Sequence, residues 1–387
     1  MTMLALERER AAPPTCCPQY AADLAAKRAE VDVTISALDA WRMDEVVAAV
    51  HEVVATPAYQ ATTLAVAPSA AREAPQRVKG LFTGFDFHLT PQGPKLIEIN
   101  TNAGGAFYGA LIDQAGWNNG NTDAHPIGAW AEVFVQHFRS EWALAGRGPL
   151  RTVAVIDDSP SEQFLKLEFE LAARMLRDAG IDAVVADPRE LSFRDGRLWH
   201  GATYIDLIYN RLTSFALDRP EDAAIRGALV AGSVVVTPDP RTHALFACKR
   251  NLTLLSDDAF LRDAGVNEAA RQILTEAIPP TTVLTPDNAA ALWLERSNHY
   301  FKPTNGFGSR AVYDGAKLTA ATWAAIAART DYVAQARVDA ERIDVPGQGP
   351  MRYDVRTFAY GAQPFMRLAR VYRGQTTNFR SEGGGFA

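Results

Sequence analysis

The sequence GFDFHLTPQGPKLIEINTNAGG, residues 84–105, has the pattern of two β-strands joined by a turn. Apolar and polar residues alternate on both sides of residues 91–94, PQGP, which are typical turn formers. A hairpin centred on this turn places Asp86 opposite Glu98, and Asn100 follows on the same face. The opposite face is predicted to be buried and consists of Phe85, Phe87, Leu89, Ile97 and Ile99.

Two carboxylates that lie directly opposite each other in a hairpin repel. A divalent cation would remove that conflict, and oxygen-only ligands suit Mg²⁺ or Mn²⁺ rather than Zn²⁺. The stretch alone leaves two interpretations open. It is a metal site with Asp86, Glu98 and Asn100 as ligands, or it is an ordinary hairpin whose polar face meets water.

The bulk properties of the chain narrow the class of protein. With 387 residues it is long enough for two or three domains, and 48% hydrophobic with 22% charged residues is an ordinary globular composition. The net charge of −6 and the lack of a long basic run argue against a nucleic-acid partner. Cys16, Cys17 and Cys248 have neither disulfide nor zinc spacing. Since no signal peptide or membrane-spanning run is visible, we expect a cytoplasmic protein without a membrane partner.

Changes of pattern along the chain predict six successive parts. They are a helical N-terminal segment (1–80), the acidic hairpin and its surroundings (81–125), a helical connector (126–149), a parallel sheet with covering helices (150–247), and two strand-rich parts (248–339 and 340–387). Within them, single helices are predicted for residues 125–144, 161–179 and 249–265. The parallel sheet is predicted because the apolar stretches TVAVIDD, IDAVVAD, YIDLIYNRL and GSVVVTP alternate with helical patterns. The turn after its first strand, DDSPSEQF, lacks G-x-G-x-x-G, which excludes a nicotinamide-binding site.

Four residues are candidate substrate contacts. Arg211 lies just beyond a strand of the parallel sheet, where such sheets place ligand contacts, with a plain surface arginine as the alternative. Asn102, Gly104 and Gly105 follow the acidic hairpin. Consecutive glycines let the backbone approach another group closely, or they simply allow a turn.

A glycine-rich hairpin is predicted further along the chain. The strand HYFKP, which contains Lys302, is followed by TNGFGSRAVYDG with Gly306 and Gly308. Backbone N–H groups at such a tip can fold over phosphates, and a lysine at the strand end supplies a point charge. The sequence is not a Walker loop, because it lacks GK[ST].

The last part of the chain concentrates arginines. The sequence MRYDVRTFAYGAQPFMRLARVYRG predicts a second hairpin, and Arg352, Asp354 and Arg356 share one face of it. Solvated arginines are one interpretation. So many cations beside the three glycines of residues 383–385 favour a polyanionic ligand instead.

The motifs IPPTTVL, YFKPTNGFGSRAV, YVAQARV, DVRTFAYG, RLARVYRG and TNFRSEGGG resemble, in this order, the core of the ATP-grasp superfamily. The likeness is strongest to its glutathione synthetase and ribosomal-protein glutamate-ligase branch. The resemblance implies a nucleotide site formed by Lys249, Lys302, Gly306, Gly308, Ser309, Gln335 and Val338. It implies catalytic roles for Arg356, Arg370 and Asn378, and metal ligation by Asp86, Glu98 and Asn100.

In that family the metal ligands follow the last glycine motif, in a segment G-x-D, turn, E-x-N. Here the corresponding segment, GFDFH and LIEIN, stands near the other end of the sequence. The chain therefore resembles a circularly permuted ATP-grasp enzyme, as in eukaryotic glutathione synthetases and glutathionylspermidine synthetases. The likeness covers about residues 81–110 and 150–387.

The fold implied by the resemblance is α/β (α+β), a permuted ATP-grasp fold with a Rossmann-like domain ahead of it at residues 150–247 and an N-terminal helical segment. Residues 81–125 would then be the permuted terminal part of the large lobe, 248–339 the small lobe, and 340–387 the rest of the large lobe. Both hairpins should share one antiparallel sheet, with Ala387 in the same lobe. Two departures stand out. SRAV replaces S-x-G-V, so that Arg310 or Ala311 stands for a glycine, and the hinge strand that would hold adenine, residues 335–338, lacks a Gln-Glu pair.

The function implied by the resemblance is ATP-dependent ligation of a carboxylate to an amine. ATP and Mg²⁺ (or Mn²⁺) would be the cofactors, an acyl phosphate the intermediate, and small molecules or peptides the substrates. Two alternatives stay open: an ATP-grasp kinase and a catalytically silent nucleotide-binding module. The sequence identifies neither the acid nor the amine, and it leaves a homo-oligomer open.

Overall fold

The structure is a computed structural model, and it describes residues 18–75, 78–115, 126–145, 148–306, 311–374, 377–378 and 381–387. Gly308 and Ser309, two of the predicted nucleotide contacts, lie outside these residues, as does Arg310.

The helices of the described residues are, in chain order, α1 (Pro18–Lys27), α2 (Ala37–Val54), α3 (Pro57–Ala65), α4 (Ser69–Glu73), α5 (Ala106–Ala115), α6 (Trp130–Leu144), α7 (Lys166–Asp178), α8 (Ala223–Val230), α9 (Pro240–Phe246), α10 (Asn251–Leu255), α11 (Asp258–Asp263), α12 (Glu268–Ala277), α13 (Pro286–Leu294) and α14 (Ala320–Ala327). The strands are β1 (Thr83–His88), β2 (Lys95–Asn100), β3 (Thr152–Ile156), β4 (Asp182–Ala186), β5 (Leu191–Arg194), β6 (Arg197–His200), β7 (Thr203–Tyr204), β8 (Leu207–Asn210), β9 (Val235–Thr237), β10 (Thr281–Val283), β11 (His299–Pro303), β12 (Tyr313–Asp314), β13 (Tyr332–Ala336), β14 (Arg342–Val345), β15 (Gly349–Tyr360), β16 (Gln363–Tyr372) and β17 (Gly385–Phe386).

The largest sheet joins segments from both halves of the chain. Its strand order is β17-β16-β15-β1-β2, and β14 also pairs with β15. The pairs within it are antiparallel. The acidic hairpin and the arginine-rich hairpin thus share one sheet, as the sequence predicts. Ala387 exchanges two backbone hydrogen bonds with Ala369 of β16, which places it in the same sheet.

The register of this sheet aligns the charged residues. Asp86 of β1 stands opposite Glu98 on one side and Arg356 of β15 on the other. In the same way, Asp354 stands opposite Arg370 of β16. Directly paired residues project from the same face of a sheet. The predicted pairing of Asp86 with Glu98 is therefore confirmed.

One feature of the predicted hairpin is wrong. The register shifts between Asp86 and Phe87, so that Phe87 pairs with Leu96 and Ile97 is left as the extra residue of a β-bulge. Leu96 is consequently buried, whereas Ile97 is partly exposed. Strict alternation from Ile99 back through Ile97 could not anticipate a bulge.

The two faces of the sheet differ in what covers them. The face that carries Phe85 packs against α2 and α12, with Val50 and Leu274 in the same apolar core. The opposite face carries the charged residues. Next to them on that face, Phe358 packs with Phe107 of α5 and with residues of α6 and α7. The charged residues thus lie beside this second apolar core, and most of them are buried.

A second sheet is parallel, as predicted, with the order β4-β3-β8-β9. Three differences from the sequence prediction appear in its surroundings. A small antiparallel sheet, β5-β6-β7, lies between β4 and β8. The helix predicted for residues 161–179 starts only at Lys166, because Pro160–Glu162 forms a 3₁₀ turn. Helix α6 starts at Trp130 rather than at residue 125, which lies outside the described residues.

A third sheet, β10-β13-β11-β12, is antiparallel. Strands β11 and β12 flank the predicted glycine-rich turn, with Phe301 opposite Tyr313. Ala311, one of the two positions at which the resemblance implies a glycine, has a φ of 55°. Glycine adopts this left-handed conformation at little cost, so a glycine would be favoured at this position for a backbone reason.

The helix predicted for residues 249–265 is divided into α10 and α11. The first ends at Leu255, and Asp257 caps the second, because its carboxylate accepts the backbone N–H groups of Ala259 and Phe260. None of the helices in the described ranges has the length and apolar character needed to cross a membrane.

Candidate active site

Asp86 lies at the centre of a buried charged cluster. Its side chain is 3% exposed, and its two oxygens accept hydrogen bonds from Arg356 Nε at 2.6 Å and Arg356 Nη2 at 2.7 Å. Arg370 Nη2 lies 2.9 Å from Asp86 Oδ2. Paired guanidinium and carboxylate groups of this kind make strong, directional hydrogen bonds. The adjacent strands β1, β15 and β16 fix these three side chains together.

Arg370 is held from both sides. Its Nε donates to Asp354 Oδ1 at 2.6 Å, and the hydroxyl of Thr377 donates to the other oxygen of Asp354. Burial alone would lower the pKa of Arg370, but Asp354 and Asp86 outweigh that effect and hold the pKa above its ordinary value. The guanidinium is therefore permanently charged.

The three predicted metal ligands lie together. The side-chain nitrogen of Asn100 donates to Asp86 Oδ2 at 2.9 Å and to Glu98 Oε1 at 3.0 Å. Burial would raise the pKa of Glu98, but Lys249 and Lys302 outweigh it, and the pKa lies well below its ordinary value. Glu98 is thus a carboxylate at neutral pH, and its side chain remains 30% exposed.

The two predicted phosphate-binding lysines lie beside Glu98. Lys249 Nζ is 3.4 Å from Glu98 Oε2 and donates to the carbonyl of Gly306 at 3.1 Å. Lys302 Nζ donates to Gln335 Oε1 at 2.6 Å. Burial lowers the pKa of Lys302 to about 8, although Glu98 acts in the opposite direction. The side chain of Gln335, predicted to belong to the hinge strand, therefore also contacts one of the predicted phosphate-binding lysines.

The carbonyl of Val338, in the predicted hinge, lies 2.9 Å from Nδ1 of His88. Burial lowers the pKa of this imidazole, so it is neutral near pH 7. His88 was not among the predicted site residues, although it lies two positions after Asp86 and hence on the same face of β1. Its contact ties the hinge to the strand that carries Asp86.

Asn378 occupies a different position from the other predicted catalytic residues. Among the described residues, its amide nitrogen donates to the carbonyl of Arg373 at 2.7 Å, and its amide oxygen accepts from Ser381 at 3.0 Å. These contacts lie within the loop between β16 and β17. They shape that loop rather than the cluster around Asp86.

The four predicted substrate contacts are brought together, and each forms hydrogen bonds within the protein. Arg211 Nη1 donates to the carbonyls of Asn102 at 2.8 Å and Ala103 at 3.1 Å. The carbonyl of Gly104 accepts from Arg356 Nη1 at 2.9 Å, and the N–H of Gly105 donates to Glu168. Sequence reasoning missed Glu168. The available signal was an acidic residue on the apolar stripe of a helix, three and four positions before Leu171 and Ala172.

Comparison with known proteins identifies the fold. The sequence matches no protein-family model and no curated protein. A glutathione synthetase-like effector from Globodera pallida has a similar structure, with a TM-score of 0.57, 11% identity, and coverage of 89% of this chain and 87% of the effector. A protein of Methylobacillus flagellatus KT, provisionally named a gamma-glutamylcysteine synthetase, is also similar, with a TM-score of 0.50, 10% identity, and coverage of 89% of this chain and 86% of that protein. The chain has an ATP-grasp-related fold.

In this ATP-grasp-related fold, the α/β class predicted from the sequence is confirmed. Identities of 10% and 11% show a shared fold, so the chemistry has to be argued from the residues of this chain. The cluster around Asp86, on one face of the largest sheet, is our candidate for the site of that chemistry.

Proposed function

We propose that the protein is an ATP-dependent carboxylate–amine ligase that forms an amide through an acyl phosphate and releases ADP and phosphate. The observation that carries the proposal is the convergence of Asp86, Glu98 and Asn100 with Arg356 and Arg370 on one face of one sheet. We also propose that a circular permutation explains why these residues come from distant parts of the chain. The pairing of β1 with β15 supports it.

The residues present fit Mg²⁺ together with a nucleoside triphosphate. In the part of the chain that the structure describes, no group of three His, Cys, Asp or Glu side chains could hold a metal ion by itself. Mg²⁺ commonly binds through one or two carboxylates plus substrate phosphates, rather than in a cage made only of protein ligands. Asp86 and Glu98 with the amide of Asn100 are a donor set of that kind, and Asp86 would exchange one of its hydrogen bonds to Arg356, Arg370 or Asn100 for the metal.

The charges around these ligands favour a polyanion. Four cationic side chains surround three carboxylates: Arg356, Arg370, Lys249 and Lys302 against Asp86, Glu98 and Asp354. Lys249 donates to the carbonyl of Gly306, and Lys302 lies on strand β11 just before it. We assign them to the phosphates of the nucleotide.

Arg356 and Arg370 are assigned to the transferring phosphoryl group and to the intermediate that forms during amine attack. Three of the five N–H groups of Arg356 are engaged by Asp86 and Gly104, which leaves two for a ligand. Because Asp86 holds both guanidiniums in place, they need no reorganisation when negative charge develops. When bound, MgATP supplies the phosphoryl group that activates the substrate carboxylate toward the amine.

The test is ADP release from MgATP in the presence of pooled carboxylates and amines. We expect release only when an acid and an amine are both present, and we expect MgATP alone to raise the melting temperature. Hydroxylamine in place of the amine should give a hydroxamate, because an acyl phosphate is trapped in this way and a kinase product is not. Absence of both a thermal shift and calorimetric binding at millimolar MgATP would overturn the proposal.

A further inference from the structure

Residues 102–105, here called the 102–105 loop, contact both Arg211, which follows a strand of the parallel sheet, and the charged cluster. Its carbonyl groups at residues 102 and 103 accept from Arg211, and the next one, Gly104, accepts from Arg356. Three consecutive carbonyls are therefore shared by two guanidiniums, one outside the cluster and one inside it. The orientation of Arg356 Nη1 depends on where this loop places the carbonyl of Gly104.

Glu168 of α7 holds the same loop from the other side. Its side chain is buried, and it accepts the backbone N–H of Gly105 at 2.9 Å and that of Phe107 at 3.0 Å. These N–H groups stand at the start of α5, where a helix has no internal acceptors for them. Burial raises the pKa of Glu168, and these N–H bonds and Arg211 act against that rise. Glu168 thus fixes the backbone immediately after the carbonyl of Gly104.

Close packing leaves the loop little room to move. A Cβ atom on Gly104 would lie only 2.3 Å from Leu165 Cδ1, and one on Gly105 only 2.7 Å from the ring of Phe386. Gly105 also has a φ of 111°, which side-chain-bearing residues rarely adopt. The loop is therefore packed between the start of α7 and strand β17, and Glu168 holds the N–H groups at its end.

We propose that Glu168 is a positioning residue for Arg356 and acts through the 102–105 loop, with Arg211 in support. The inference rests on the proposed function, in which Arg356 contacts the transferring phosphoryl group. The N–H of Gly105 bonds to both carboxylate oxygens of Glu168, so replacing one of them by the NH₂ group of an amide would set two donors against each other. That repulsion would shift the carbonyl of Gly104 and let Arg356 turn about Asp86. Misplacement of a catalytic group by about 1 Å can lower a rate by roughly 100-fold.

The first test compares two buried glutamates. Glu168→Gln should lower kcat by about 10- to 100-fold while KM for MgATP changes by less than about 2-fold, since Lys249 and Lys302 are untouched. Glu141→Gln is the matched control. Glu141 is also fully buried and also accepts a backbone N–H, that of Lys79 at 2.9 Å, but it belongs to α6 and does not contact the loop. Equal effects of the two substitutions would overturn the inference.

A double-mutant cycle tests whether the effect passes through Arg356. Arg356→Lys removes the group that Glu168 is inferred to position, so adding Glu168→Gln to it should lower kcat by little more. If the two substitutions act on independent features, their fold-changes multiply. Multiplication would assign Glu168 a role unrelated to Arg356.

A third measurement does not depend on activity. Hydrogen exchange of peptides that cover residues 102–107 should be at least about 10-fold faster in Glu168→Gln and unchanged in Glu141→Gln. Unaltered exchange in Glu168→Gln would overturn the inference whatever the kinetics. If the wild-type protein forms no ADP with any acid and amine, the proposed function has failed. The double-mutant cycle is then measured with unfolding equilibrium constants in place of kcat. If the fold-changes of the two single variants do not multiply in the double variant, the coupling of Glu168 to Arg356 is supported; if they multiply, it is refuted.

Discussion

At the arginine end of the charged cluster, Arg356 and Arg370 both donate to the carboxylate of Asp86, whereas at the lysine end Lys302 donates to the neutral amide of Gln335. Asp86 is 3% exposed, but Glu98, the carboxylate at the lysine end, is 30% exposed. The first end therefore satisfies its charges within the protein. The second keeps a surplus of positive charge, because two buried lysines face one partly exposed carboxylate.

The origin of this difference lies in the sheets. The arginine end is built on β1, β15 and β16, which are neighbours in one sheet, so their register sets every distance. The lysine end combines β2 of that sheet with β11 of another and with Lys249, which precedes α10. An end assembled from separate elements is the one that a nucleotide can complete. The arginine end is formed before any ligand arrives.

The largest effect is expected from Asp86→Asn, which breaks the arginine end. Two buried guanidiniums would lose their shared carboxylate, and removing one partner of a buried ion pair costs about 3–5 kcal/mol. Urea unfolding measures the loss. Asp44→Asn is the control, because Asp44 pairs with Arg367 and both side chains are partly exposed, so a loss below about 1 kcal/mol is expected. Similar losses of stability for the two variants would mean that the ion pairs of the arginine end stabilise the protein no more than a partly exposed ion pair does.

Glu98→Gln should affect activity instead of the fold. The side chain is partly exposed and faces the lysines, so the variant should fold normally, as circular dichroism and melting temperature would show. Turnover should fall by about 10²–10³-fold, comparable to the loss of one group that stabilises transition-state charge. Asp344→Asn, on the exposed edge strand β14, should leave turnover unchanged. A folded Glu98→Gln protein with normal turnover would exclude Glu98 from the site.

The pKa of Lys302 predicts a smaller, pH-dependent effect. Its pKa is about 8 in the folded protein against 10.5 for an ordinary lysine, with Glu98, Asp86 and Lys249 as its charged neighbours. Between those pH values the unfolded chain binds the proton and the folded chain does not, so the free energy of unfolding rises with pH. Below pH 8 the cost of burying the ammonium is present in full.

Lys302→Met removes this pH-dependent contribution to the free energy of unfolding. The difference in unfolding free energy between wild type and Lys302→Met should therefore change by about 1–3 kcal/mol from about pH 7.5 to about pH 10.5. Binding of MgATP by the wild type should weaken over the same range, because the lysine loses its charge. A difference that stays constant with pH would show that Lys302 is not strained by burial.

The smallest effect is expected from Ala311→Gly. Alanine with a φ of 55° is strained by about 1–2 kcal/mol, and the greater freedom of glycine in the unfolded chain offsets part of the gain. The substitution should therefore stabilise the protein by up to about 1 kcal/mol, measured as a rise in melting temperature. Ala324→Gly, within helix α14, should do the opposite. A destabilised Ala311→Gly variant would show that the methyl group has a packing role.

Much of the site follows from the sequence because its signals are local. The turn PQGP predicts the hairpin and alternation places Arg356 beside Asp354, but Asp86 stands opposite Glu98 only because the bulge at Ile97 shifts the register set next to the turn. The parallel strands were equally visible, since each is a short apolar run between helical patterns. The joining of the two hairpins in one sheet was predicted only through the family resemblance, because no local pattern connects them.

What the sequence did not predict depends on contacts between distant residues. The bulge at Ile97 is a property of the pairing with β1, not of β2 alone. The main-chain partners of Arg211 come from the 102–105 loop, more than a hundred residues away. The sequence therefore could not show that this candidate substrate contact donates hydrogen bonds to the backbone. Glu168 could have been suspected from its position on an apolar stripe, but its partners could not.

The pairing of Asp86 with Arg356 spans 270 residues of sequence, and this separation has a consequence during synthesis on the ribosome. Strand β1 emerges early, but its neighbour β15 is translated only after those residues have been added. At roughly 5–20 residues per second, the nascent chain carries a half-paired acidic hairpin for on the order of tens of seconds. During that interval the open edge of β1 and the apolar face behind it are available to chaperones or to the same segment of a neighbouring nascent chain.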